Sequence, residues 1–190
     1  MRSMTGAAPM PPPRTETCLG KPLEVPEGWV SSVAFRPDGK TLAAGYARFG
    51  DGRDGVALWD AAGRRRLGKP LEVPEGQVFG VTFSPDGRTL AAGYARLGGG
   101  RSGVALWDAA GRRRLGEPLE VPEGQVFGVA FSPDGRTLAA GYRAGDDRGG
   151  VVLWDAAGRR RLWEPVPPAG GSSTPPGPSC PEARCGFPAP

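Results

Sequence analysis

The chain has 190 residues, enough for one ordinary domain or a short repeat array, and a formal net charge of +4 with three cysteines and no histidine. The missing histidine removes imidazole general bases, Ser-His and Cys-His nucleophiles and the commonest metal ligand. So modest a charge permits contact with nucleic acid or acidic lipid but does not argue for it.

Residues 1–13 lack the apolar stretch of a secretory signal, and 1–16 read as a disordered segment. No apolar run in the chain is long enough to span a bilayer. Cys18, Cys180 and Cys185 are too few and too terminal for a disulfide framework, so a reducing, cytoplasmic setting is the expectation. The bias towards Ala and Arg suggests a bacterial source. From residue 17 onwards the sequence repeats. Lys-Pro-Leu-Glu-Val-Pro-Glu-Gly begins at Lys21 and recurs at Lys69, a Glu-led copy begins at Glu117, and a degenerate start follows at Glu164. The repeats lie near 21–68, 69–116 and 117–163, within an array over 17–166. Between 69–94 and 117–142 only Lys69/Glu117 and Thr82/Ala130 differ. The 32 glycines and 22 prolines, which at random positions would signal disorder, mostly fall at fixed places in this array and read as turns.

The second copy shows the pattern within a repeat. Residues 78–83 form a β-branched and aromatic run, and Ser84-Pro85-Asp86-Gly87 is a tight turn. Residues 89–94 are a strand of small side chains, the Gly-rich loop 96–103 follows, and 104–108 are a third strand. Ala109-Ala110-Gly111 turns again, and 114–121 supply a fourth strand. Pro118 falls inside that fourth segment, which places it outermost, where a missing N–H is tolerated. The reading is all-β: tandem four-stranded antiparallel blades of a β-propeller. Residues 167–190, rich in Pro, Gly and Ser, read as a disordered tail.

Each copy carries Val-Ala-Phe or Val-Thr-Phe, then Pro-Asp-Gly, Thr-Leu-Ala-Ala-Gly and Leu-Trp-Asp. These fall at Phe35, Asp38 and Trp59-Asp60, at Phe83, Asp86 and Trp107-Asp108, and at Phe131, Asp134 and Trp154-Asp155. In this the chain resembles the WD40 repeat family. TolB-like bacterial propellers share the Ser-Pro-Asp-Gly turn, but the recurrent Leu-Trp-Asp favours WD40. The resemblance implies a protein-interaction or scaffolding module rather than an enzyme, with Phe35, Trp59, Phe83, Trp107, Phe131 and Trp154 as structural core. It also exposes two departures. Where the family has Gly-His before the first strand, this chain has Val25-Pro26, Val73-Pro74 and Val121-Pro122, so the buried histidine network cannot form. Blades held by apolar packing, looser than the family norm, are expected, with Asp54 the one surviving turn aspartate.

The second departure is number. Three blades follow one orphan outer strand at 17–25, and closed propellers have about four to eight. The chain is not a complete propeller by itself: it is an open arc, a self-associating half or a remnant of a longer protein. Apolar faces are expected at both ends, with Val33, Phe35 and Leu58 at one and Val129, Phe131 and Leu153 at the other. The orphan strand matches the outer strands inside the array, so two copies exchanging it would make six blades.

Two sets of residues are candidates for contact with partners. The Gly-rich loops carry Arg48, Asp51, Arg53, Arg96, Arg101, Asp146, Asp147 and Arg148 and vary where the rest repeats. They are either a contact surface for a protein partner or simply loops that tolerate change. The triplets Arg64, Arg65, Arg66, then Arg112, Arg113, Arg114, then Arg159, Arg160, Arg161 recur once per blade. They suit a polyanion stripe or, on the favoured reading, solvated charges that guard an edge strand, since Glu24, Glu72 and Glu120 share those strands. Nucleic acid is accordingly not the expected partner. Cys180 and Cys185 have no further Cys or His beside them for a metal. No catalytic group, cofactor or membrane contact is expected.

Overall fold

Alternation of apolar and small residues over six or seven positions, cut by Pro-Asp-Gly or Ala-Ala-Gly, leaves the backbone no option but short antiparallel strands. The computed structural model describes residues 22–48, 54–96, 98, 100–145 and 148–162. These carry thirteen strands and, among the described residues, no helix. The first blade contains β1 (Trp29–Phe35), β2 (Thr41–Ala47), β3 (Gly55–Asp60), β4 (Arg65–Arg66) and β5 (Leu71–Glu72). The second contains β6 (Gln77–Phe83), β7 (Thr89–Ala95), β8 (Gly103–Asp108), β9 (Arg113–Arg114) and β10 (Leu119–Glu120). The third contains β11 (Gln125–Phe131), β12 (Thr137–Arg143) and β13 (Gly149–Asp155). Within a blade the first three strands pair in chain order, and successive blades touch through their innermost strands, β1 on β6 and β6 on β11.

The expected fourth strand is in fact two. In the first blade β4 pairs with the Trp59–Asp60 end of β3 and β5 with its Gly55–Val56 end. β9 and β10 divide along β8 in the same way. The break is chemical. Gly68 and Gly116 sit at φ 62°, and the Pro70 and Pro118 that follow have no N–H for the ladder. In the third blade a single bridge, Trp154 to Arg161, marks the first half, and the expected second half lies outside the described residues. So do residues 17–21 of the orphan strand. Its described part, Pro22–Val25, is not in a strand.

Each innermost strand carries a bulge, at Val30/Ser32, Val78/Gly80 and Val126/Gly128. Beside it the blades approach so closely that Gly45 and Gly93 have no room for a side chain. A Cβ on Gly93 would lie 2.8 Å from Val126 and 2.9 Å from Val129 of the next blade.

Strand side chains alternate between the two faces of a blade, and each face packs on a different neighbour. Ala43, Val56, Leu58, Leu71 and Val73 of the first blade meet Val81, Phe83, Leu90, Tyr94 and Trp107 of the second. Leu106, Leu119 and Val121 of the second meet Leu138, Val152 and Trp154 of the third in the same manner. Leu58 therefore does not belong to an open end, because it faces the second blade and is buried. Val129 and Phe131 likewise pack against the second blade. Phe35 is not core: it is 63% exposed beside Val33, because no described residue supplies a preceding blade. The open faces are Val33 and Phe35 at one end and Val151 and Leu153 at the other. Of the chain before β1, Leu23 and Val25 pack on the first open face, against Ala44, Tyr46, Ala57 and Trp59.

Candidate functional site

The loops between second and third strands, and the Val-Pro-Glu-Gly segments that lead into each blade, emerge on one face of the array. Between the second and third blades they enclose a cleft of about 570 Å³ lined by both kinds of segment, among them Arg96, Arg101, Glu120, Gln125 and Arg143. The Arg101 Nη1 donates to Glu120 Oε1 at 2.6 Å across an exposed rim, and Arg143 stands where the two preceding repeats have Ala47 and Ala95. The cleft can cradle a flexible ligand with polar groups along its rim.

Of the candidate loop residues, Arg96 and Arg101 reach this cleft. Arg48 lies at the corresponding point one blade earlier, where its N–H donates to the buried Asp54 carboxylate at 2.6 Å and its carbonyl accepts from the Gln77 side chain. Arg148 accepts the Ala144 N–H through its carbonyl. Asp51, Arg53, Asp146 and Asp147 lie outside the described residues.

The three members of each arginine triplet take different environments. The first members, Arg64, Arg112 and Arg159, take positive φ near 52° in the turn. From there the Arg112 guanidinium donates back to the Lys69 carbonyl of the first blade, and Arg159 to the Glu117 carbonyl of the second. The third members turn inward. Arg66 pairs with Glu27 at 2.6 Å, Arg114 with Glu75 at 2.5 Å and Arg161 with Glu123 at 2.6 Å. Arg66 and Arg114 also lie over the rings of Trp59 and Trp107, 5.7 and 5.8 Å from the centroids. Only the middle members, Arg65, Arg113 and Arg160, all point outward in exposed positions. Each blade is thus clasped by an Arg–Glu pair, which in the first two lies over the tryptophan, in the place where apolar packing was expected. Trp59, Trp107 and Trp154 are themselves buried.

Tyr46 and Tyr94 complete this layer. Burial, then the charge of Glu27 or Glu75, pushes their hydroxyls up to about 12, against the opposing pull of Arg66 or Arg114. The clasp was not read from the sequence, although its signal is there: the Glu of Val-Pro-Glu-Gly and the last Arg of each triplet recur together in every repeat. Glu120, Gln125 and Arg143 of the cleft were also missed as site residues, since nothing local marks them.

On the opposite face the Pro-Asp-Gly and Ala-Ala-Gly turns meet, as Ala61, Ala109 and Ala156 donate to the carbonyls of Lys40, Arg88 and Arg136. The Ser84 hydroxyl donates to Asp86 at 2.5 Å and Ser132 to Asp134 at 2.6 Å, which with the Arg88 and Arg136 N–H groups holds both carboxyls below the usual range. These are turn contacts, with no paired acid and base among them.

Among the described residues no group of His, Cys, Asp and Glu could hold a metal ion, and no helix is long and apolar enough to cross a membrane. Solved propeller structures share the fold. The U3-55K structure matches with a TM-score of 0.57 at 18% identity, over 74% of this chain and 40% of that one. TolB from Acinetobacter baumannii matches at 0.52 and 18% identity, over 70% and 31%. The Kuenenia stuttgartiensis hydrazine synthase matches at 0.52 and 25%, over 65% and 39%. The chain thus spans between about a third and two fifths of these proteins' length. Among curated proteins none matches it in sequence. The family model for the WD domain, G-beta repeat, matches three times, at residues 17–60, 68–108 and 116–155. With those matches covering most of the array, and the same three blades in the structure, the chain belongs to the WD40 repeat family.

Proposed function

We propose that the chain is a non-catalytic interaction module that receives an extended segment of a protein partner in the cleft between its second and third blades. The observation that carries this reading is the cleft itself. Its volume of about 570 Å³ is that of a binding site, and its walls include the loops in which the otherwise near-identical repeats diverge. WD40 membership supports an interaction role, and the lack of histidine in the sequence supports a non-catalytic one. Cysteine usage and the Ala and Arg bias support a reducing bacterial cytoplasm as its setting. The arginine triplets have no part in the reading, because Arg65, Arg66, Arg112, Arg114, Arg159 and Arg161 are engaged with groups of the array itself.

The test is affinity capture with the tagged chain, comparing Arg96→Ala/Arg101→Ala/Gln125→Ala with Arg65→Ala/Arg113→Ala. The expected result is a defined set of proteins held by wild type and by the outer-strand variant and lost by the loop variant. Equal capture by both variants would remove the cleft from consideration, and so would a wild type that retains nothing.

A further inference from the structure

We infer that a second copy of this chain covers both open ends of the array, and that Pro22–Val25 of each copy completes the third blade of the other. The inference is independent of the cleft and rests on what covers the equivalent surfaces inside the molecule.

In the first blade Val56 pairs with Leu71 and Gly55 with Glu72, and the Val73 N–H donates to the Asp54 carbonyl. In the second blade Val104 pairs with Leu119 and Gly103 with Glu120, and the Val121 N–H donates to the Ser102 carbonyl. Under those strands Val56 and Val104 are fully buried. Their equivalent in the third blade is Val151. It is 60% exposed, and on the side of β13 away from β12 no described strand pairs with the Gly150–Val151 stretch. The third repeat's own sequence diverges there, because Trp163-Glu164-Pro165-Val166 stands where the others have Gly68-Lys69-Pro70-Leu71 and Gly116-Glu117-Pro118-Leu119.

The undiverged sequence is present elsewhere in the chain. Gly20-Lys21-Pro22-Leu23-Glu24-Val25 repeats Gly68-Lys69-Pro70-Leu71-Glu72-Val73 without a change. Its Leu23 and Val25 already pack on the first blade as Leu71 and Val73 pack on the second, yet its backbone is in no strand. Among the described residues, a strand sequence without a blade and a blade without an outer strand on its Gly150–Val151 stretch are therefore held at opposite ends of the array. The faces beside them match as well. Val33 and Phe35 repeat the Val81 and Phe83 that cover Leu58, so in a second copy they meet Leu153. The resulting contact sets Leu23 opposite Val151 and Glu24 opposite Gly150, with the Val25 N–H on the Gly149 carbonyl. One end cannot dock on its own kind, since both partners would then offer a strand or both a vacancy. Made twice about a two-fold axis, the contact gives six blades, within the range that closes.

The test uses the full chain in light scattering at micromolar concentration, where wild type is expected at twice the mass of one chain. Val33→Asp/Phe35→Asp disables only the first face and Val151→Asp/Leu153→Asp only the last. All four residues are exposed in the single chain, so each variant folds and runs as a monomer. Mixing the two is expected to restore a dimer, because each supplies the face the other lacks, and labelled chains will show it to contain one of each. A monomeric wild type would overturn the inference. So would either variant remaining dimeric alone, which means like ends have docked, or a mixture of two folded variants that stays monomeric.

Discussion

The second and third blades are nearly the same sequence in two different settings. β6 reads QVFGVTF and β11 QVFGVAF, yet Gly80 is buried and Gly128 exposed. Further out on the same face, Leu106 is 4% exposed and its equivalent Leu153 39%. Nothing in the strands themselves causes this. The second blade has a neighbour on each side and the third is described with one, so a residue's burial is a property of the interface and not of its repeat. A blade on its own is a sheet with two apolar faces, and it becomes part of a core one face at a time.

The comparison is broken most severely by removing the same side chain from both settings. Leu106→Ala leaves a cavity between two blades, and truncations of that kind cost about 2–5 kcal/mol. Leu153→Ala truncates a side chain that is already 39% exposed and is expected to cost less, about 1 kcal/mol. Urea unfolding of the dilute, monomeric chain measures both, and equal losses would mean that the third blade has a covering the structure does not show.

A change in the opposite sense follows at the next level. A Cβ on Gly93 meets two valines of the third blade below 3 Å, while a Cβ on Gly141, at the same point of the next repeat, meets nothing within 4 Å. Gly93→Ala is expected to destabilise by about 1–3 kcal/mol through overpacking. Gly141→Ala is expected to be neutral or to stabilise by up to about 1 kcal/mol, because alanine restricts the unfolded chain. Thermal melts of the two variants against wild type, each as the dilute, monomeric chain, decide it, and the sign of the second shift is the sharper reading.

The clasp is smaller again. Arg114 and Glu75 are each about a quarter exposed, so solvent screens them and a double-mutant cycle to alanine should give a coupling of about 1 kcal/mol, falling as salt is raised. No coupling would assign the position of Arg114 to its stacking on Trp107 alone.

These contrasts also show why the fold was legible and the site was not. Pro-Asp-Gly and Leu-Trp-Asp are local signals whose turn and strand preferences act within a few residues, so blade, turn and repeat boundary could be read directly. Leu58 and Phe35 were each placed correctly on a strand but on the wrong side of the accounting between blades, since period-two alternation gives two faces and does not say which has a neighbour. The break at Gly68 and Gly116 was missed because Leu67, Leu71 and Val73, and Leu115, Leu119 and Val121, keep period-two spacing across it. The Arg114–Glu75 pair joins residues 39 apart through a contact that propensity does not encode, and only the constancy of the pair from repeat to repeat marks it. The cleft is still less legible, since its walls come from two blades and its shape from their separation.

The smallest effect at neutral pH concerns the tyrosines beside the clasp, and its sign follows from their burial. Tyr94 is almost wholly buried, and burial followed by the Glu75 charge raises its hydroxyl from 10.0 to about 12, with Arg114 pulling the other way. Tyr46 is raised to about 12 by burial and Glu27. A tyrosine is neutral when protonated, so its folded form here holds a proton that the unfolded chain gives up near pH 10. Below pH 10 both states keep it, and the contribution of these groups to stability is whole. As the pH rises from 10 through 12 the unfolded chain ionises first, and that contribution is lost. Stability should therefore be flat in this respect through neutral pH and fall above 10, and Tyr94→Phe should flatten part of the fall. Tyrosinate absorbance followed alongside unfolding gives the test. If the Tyr94→Phe difference spectrum shows the lost tyrosine titrating near 10 in chain that is still folded, the packing of Tyr94 between the first and second blades is looser than the structure has it.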